Sequence, residues 1–157
     1  MGGNESPQAG LTSAEFRDLR RLAGIMVPAD QEYDVPGADD ELILADIVRS
    51  LGRDRDAVRA ALSMLREIAG TGFCDLDAAS AESAAMALLG RNDAAVTALG
   101  RAVLQCYYRD DRVMKSLGVE PVAPFPRGRS LPQTDWSLLD AVRGRPPMWR
   151  DDRKPGA

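Results

Sequence analysis

From Thr12 to Leu117 the apolar residues of this chain recur three and four positions apart, in stretches opened by threonine, aspartate or asparagine and closed by glycine or proline. That spacing lines up one face of a helix, whereas a half-buried strand needs an apolar residue at every second position. No stretch alternates with period two, so helices alone are expected. Thr12 and Glu15 have the spacing of a capping box, with Leu11 and Phe16 set as a hydrophobic staple around it. Phe16, Leu19, Leu22, Ala23 and Met26 continue the first stripe until Pro28 stops it. A surface loop over 29–38 containing Pro36-Gly37 leads to a second helix, expected from about Asp39 to Leu51, with acids in its first turn and Gly52 at its stop. A third helix, capped by Asp54 or Asp56, carries Val58, Ala61, Leu62, Leu65, Ile68 and Ala69 up to Gly70 and Gly72. Phe73 and Leu76 flank a short connection expected to tuck into the core. Asp77 opens an alanine-rich fourth helix closed by Gly90. Asn92 or Asp93 opens a fifth with Val96, Leu99, Val103 and Cys106 on its seam, and Asp110 or Asp111 a short sixth ended by Gly118.

At 157 residues one domain is the default, and a chain of this size buries roughly two-thirds of its unfolded surface without staples. Its apolar fraction of 45% is mostly Ala, Leu and Val, with only 5% aromatics, which suits closely packed helices. The charge divides unevenly. Residues 1–120 hold 13 basic and 20 acidic residues (net −7), and residues 121–157 hold 7 basic and 4 acidic (net +3) together with seven of the ten prolines. The expected architecture is therefore all-α: a compact bundle of five to six helices over 11–120, a flexible N-terminus over 1–10, and an extended proline-rich C-terminal tail over 121–157.

The missing residue types narrow the chemistry. The chain has no histidine, which removes Ser-His-Asp and Cys-His nucleophiles, imidazole metal ligands, the usual haem ligand and the usual neutral-pH proton shuttle. Cys74 and Cys106 form neither CxxC nor CxxCH, so thioredoxin chemistry, a four-cysteine zinc site and covalent haem attachment are excluded. No GxGxxG, P-loop or GxSxG occurs. The basic excess of the tail is too small for a duplex-binding face, so no nucleic-acid partner is expected. No apolar run reaches the ~20 residues of a membrane span. Arg20-Arg21 before Leu22-Ala23-Gly24-Ile25-Met26-Val27 has the look of a twin-arginine export signal, but Glu15 and Asp18 precede it and the run is short, so an amphipathic helix of the mature fold is expected. The chain reads as cytoplasmic unless a signal was removed or a partner supplies one.

Several residues have competing readings. Cys106, on an apolar seam, reads as a small core residue rather than a nucleophile. Cys74 follows two glycines, with no neighbouring base or cation in the sequence to activate it. Tyr107-Tyr108-Arg109-Asp110-Asp111-Arg112 reads as a tyrosine–carboxylate proton relay, as a surface facing a partner, or as a helix junction with aspartate capping and Arg–Asp pairs; the junction is favoured. The acid pairs Asp39-Asp40 and Asp151-Asp152 lack the spacing of a calcium loop. The tail is not composed like a solvated linker, since Phe125, Leu131, Trp136, Leu138, Leu139, Val142, Met148 and Trp149 run through it. Aromatics and arginines are the types enriched at interface hot spots, and the same groups are hidden equally well by folding back over the bundle.

The stretch Arg21-Leu22-Ala23-Gly24-Ile25-Met26-Val27-Pro28-Ala29 followed by Pro36-Gly37-Ala38 resembles the start of the gluconate 2-dehydrogenase small (gamma) subunit family, as does the helix ending Cys106-Tyr107-Tyr108. Asp110-Asp111-Arg112-Val113-Met114-Lys115-Ser116-Leu117-Gly118, Pro124-Phe125-Pro126-Arg127-Gly128 and Asp135-Trp136-Ser137-Leu138-Leu139-Asp140 are similar to a bacterial branch of it. The resemblance spans roughly residues 12–150, nearly a whole domain. It implies a small helical, non-catalytic subunit that binds and stabilises a large FAD-dependent oxidoreductase of the glucose-methanol-choline type, with FAD and the catalytic residues in that partner and none in this chain. The expected partner-binding residues are Tyr108, Arg109, Phe125, Arg127, Trp136, Trp149 and Arg150, aromatics as anchors and arginines paired to acidic or carbonyl groups. A helical adaptor with an unrelated partner and a stand-alone helical enzyme using Tyr108 and a carboxylate are the alternatives.

Overall fold

The first local prediction is met at Thr12. Its hydroxyl accepts from the Glu15 amide at 3.2 Å while the Glu15 carboxylate accepts from the Thr12 amide at 2.8 Å, the reciprocal capping box. Helix α1 runs from there over Ser13–Met26 in the computed structural model, which describes residues 10–70, 72–122 and 133–146. It is followed by α2 (Glu41–Ser50), α3 (Arg55–Ala69), α4 (Ala78–Leu89), α5 (Ala94–Tyr107), α6 (Asp111–Ser116) and a four-residue α7 (Asp140–Arg143). Short 3-10 turns stand before α3, α4 and α7. Among the described residues there is no strand, so the fold is all-α; an isolated bridge between Asp30 and Val35 closes the loop after α1.

The helix starts follow the side-chain chemistry. Asp40, Asp77, Asp93 and Asp110 each accept from free amides in the first turn of the following helix, which otherwise lack partners. Asp54 and Asp56 differ from expectation, because neither caps α3. The 3-10 turn Gly52–Asp54 runs straight into that helix, so Asp54 already has helical dihedrals and its carboxylate pairs with Arg101 of α5 at 2.8 Å instead. Asp56 lies inside the first turn. At the other end of α3, Gly70 takes φ +68, a left-handed conformation that L side chains rarely adopt, and so terminates the helix.

The chain divides into two compact units, Met1–Pro121 and Val122–Ala157. In the first, α3 packs against both α4 and α5, α5 also against α2, and α1 against α3 and α4. The buried apolar residues form one cluster that reaches from Leu11 to Val113. Val58, Ala61, Leu62 and Leu65 bring the α3 stripe to its centre, with Leu99 and Val103 from α5, and Phe73 fills it completely buried from the connection before α4. Two acids are buried as well: Glu15 and Asp18 of α1 pair with Arg59 and Arg66 of α3 at 3.0 and 2.6 Å. Arg21 points inward to the 73–77 turn, donating to the carbonyls of Phe73 and Leu76 at 2.6 Å each and lying 5.4 Å over the Phe73 ring. The arginine pair that resembles an export motif thus includes a strut of the fold itself.

The second unit is described over 133–146. Asp135 accepts from the Ser137 amide at 3.0 Å and opens the 3-10 turn Trp136–Leu139, which leads into α7. Residues 1–9 of the expected N-terminal segment, and residues 123–132 and 147–157 of the expected extended tail, lie outside the described residues.

Candidate partner-binding surface

The end of α5 carries the densest cluster of expected contact residues. Helical periodicity turns Cys106 and Tyr107 inward, where both are buried, and leaves Tyr108 outward with 55% of its surface exposed. The two tyrosine rings meet edge to face, 5.2 Å between centroids at 82°. Burial pushes the Tyr107 phenol above its ordinary value.

Arg109 and Arg112 follow, and both reach across to α2. Arg109 donates from Nε to Asp46 Oδ2 at 3.0 Å, makes a further contact to the same oxygen through Nη2, and donates to the Ser50 hydroxyl at 2.9 Å. Burial alone would raise the Asp46 carboxyl; hydrogen bonds from Arg109 and Arg49 outweigh it and hold the group below its ordinary range. Arg112 engages two aspartates at once. It donates to both oxygens of Asp40, at 3.1 and 2.7 Å, and to both oxygens of Asp110, at 2.9 Å each. Its hydrogen bonds hold both carboxyls below their ordinary range. Because Asp40 caps α2 and Asp110 caps α6, one guanidinium ties the starts of two helices together. The Tyr107–Arg112 run is therefore built as the capped and ion-paired junction that its composition suggests, with Tyr108 left on the outside.

A polar cleft of about 460 Å³ lies beside this junction, lined by Leu42, Asp46, Arg49, Cys106, Arg109 and Arg112 among others. Cys106 is buried, and burial pushes its thiol upward; Cys74 is half-buried, raised by burial and by its hydrogen bond to Asp18 at 3.3 Å. Both cysteines are free thiols held in the protonated form at neutral pH.

Of the expected contacts in the tail, Trp136 lies in the described stretch with 58% of its surface exposed. Leu138, Leu139 and Val142 are exposed with it, Leu138 to 74%. Phe125, Arg127, Trp149 and Arg150 lie outside the described residues. The sequence reading did not identify Asp40 and Asp46 as the partners of Arg112 and Arg109. They stand 72 and 63 positions away, and no local pattern signals a pairing at that separation. Among the described residues no helix is long and apolar enough to cross a membrane. Comparison of the chain with protein-family models, with curated proteins and with solved structures yields no match.

Proposed function

We propose that this chain is the small, non-catalytic subunit of a hetero-oligomer whose large subunit is an FAD-dependent oxidoreductase of the glucose-methanol-choline type, acting on an alcohol, sugar or glycoside. FAD and the reacting groups belong to that partner, and the small subunit binds and stabilises it. The observation that carries the reading is the segment 136–142, which presents Trp136, Leu138, Leu139 and Val142 to solvent within seven residues. A tryptophan covered by a partner buries ~150–250 Å², and aromatics of this kind dominate interface energetics. The likeness of the Asp110–Gly118 and Asp135–Asp140 runs to the gluconate 2-dehydrogenase small-subunit family supplies the identity of that partner.

Co-expression with a flavoprotein of this type from the same genome tests the reading. A yellow complex should co-purify. Trp136→Ala should weaken it by about 2 kcal/mol, roughly thirtyfold in Kd. Recovery of the chain without any flavoprotein overturns the proposal, as does alcohol oxidation by the purified chain alone. A stable complex with a flavin-free protein would favour an adaptor for an unrelated partner.

A further inference from the structure

Each of α1 to α5 packs along a neighbouring helix, whereas α6 packs along none of them. It buries Val113 alone and is closed by Gly118, which takes φ +71. Charge ties it to α2 instead. Arg109, in the turn before α6, pairs with Asp46, and Arg112 of its first turn pairs with Asp40 at the head of α2 and with Asp110. Water reaches these pairs: the Arg109 side chain is 58% exposed and that of Arg112 40%. Exposed pairs of this kind are weakened by salt.

The segment that these arginines fasten lies between two hollows. On one side a cavity of about 640 Å³ is walled by Val35 and Pro36 of the loop after α1 and by Lys115 and Ser116 of α6. On the other is the 460 Å³ cleft, with the buried Ile43 of α2 and Cys106 of α5 in its wall. Arg112 lines both hollows, so the side chain that holds α6 down is also the partition between them. Arg109 covers the cleft wall, its Nη2 lying 3.5 Å from Cys106 Sγ. Arg49 shares Asp46 with Arg109. Asp30, Asp34, Asp111 and Lys115 also face the two hollows and add no ion pair to the fastening among the described residues.

We propose that residues 109–117 form an ionically latched strap, which opens on a body that stays folded and, in opening, joins the two hollows into one groove lined by Ile43 and Cys106. Rising ionic strength releases it, because two of its three ion pairs are the ties to α2 and Val113 is its only buried apolar side chain. The inference does not depend on the partner proposed above.

Thiol accessibility in the full chain tests it. N-ethylmaleimide is uncharged, so salt does not change its approach, and mass spectrometry reads Cys106 and Cys74 separately. At pH 7, Cys106 labelling should accelerate about threefold or more between about 50 mM and 1 M NaCl, with protection of the 111–117 amides falling in parallel. Arg112→Gln should label as fast at low salt and lose most of the salt dependence, with Cys74 labelling and the urea midpoint unchanged. Arg112→Lys should restore part of the protection. Asp40→Asn, which keeps a capping side chain on α2 and removes the latch charge, should act in the same direction as Arg112→Gln. Cys106 labelling indifferent to both salt and these variants overturns the strap. So does an Arg112→Gln protein in which Cys74 and Cys106 accelerate together and the midpoint falls, since α6 would then open only with the whole body.

Discussion

Phe73 has no exposed surface, and Arg21 is drawn over its ring while donating to its carbonyl, so one aromatic side chain couples the connection before α4 to α1. Its position in a short connection gives it no helical stripe to belong to, yet an aromatic placed just after a glycine stop is legible as a plug. Its truncation leaves a cavity that α3 and α4 cannot collapse into without moving. Phe73→Ala should therefore lower stability by about 3–5 kcal/mol, read as a shifted midpoint in urea unfolding. The buried acids are a different matter. Glu15 is recognisable as a capping-box member, but nothing local marks Asp18 as buried or assigns Arg66 to it, because the pairing depends on how α1 crosses α3.

Among the elements, α6 is the one whose place depends most on charge. It has six residues and buries only Val113, too little apolar surface to hold a helix of that length in water. Arg112 compensates by gripping Asp40 and Asp110 together, and Arg109 grips Asp46 just before the helix begins. The carboxyls of Asp40, Asp46 and Asp110 all titrate below their ordinary value of 3.8 in the folded chain. Folded values below the unfolded ones mean that the stabilisation is complete above the unfolded value and is lost as pH falls through the folded values. Protection of the α6 amides, their exchange rate set against that of an unstructured peptide at the same pH, should thus be high at pH 7 and fall below about pH 4. Arg112→Gln should show fast exchange already at pH 7 and a weaker pH dependence, measured by hydrogen exchange on residues 111–117. Capping was readable at Asp77, Asp93 and Asp110, where the cap and its helix are consecutive, whereas Asp40, expected inside the first turn of a helix from about Asp39, is the cap of one that starts at Glu41. It failed at Asp54 because a 3-10 turn feeds α3 with helical backbone, leaving that carboxylate free to pair with Arg101.

Among the described residues of the molecule the buried cluster lies between Leu11 and Val113, inside the unit that ends at Pro121. A chain stopped after Pro121 should therefore unfold cooperatively with the midpoint of the full protein, monitored by circular dichroism, and lose its hold on the flavoprotein with the Trp136 segment. A lowered midpoint would show that the second unit contributes to the core. The all-helical character, the succession of six helices in the body and most of the inward-facing residues were determined by the residues in order along the chain. Periodicity and capping are local, and each acts within a few positions of where it is written. The crossing of the helices decided the rest: which arginine meets which carboxylate over separations of 44 to 72 residues, and the opening of a groove where α1 and α2 face different neighbours. Those outcomes are set by how whole helices pack around one shared core, and the free energy of that packing belongs to no single segment.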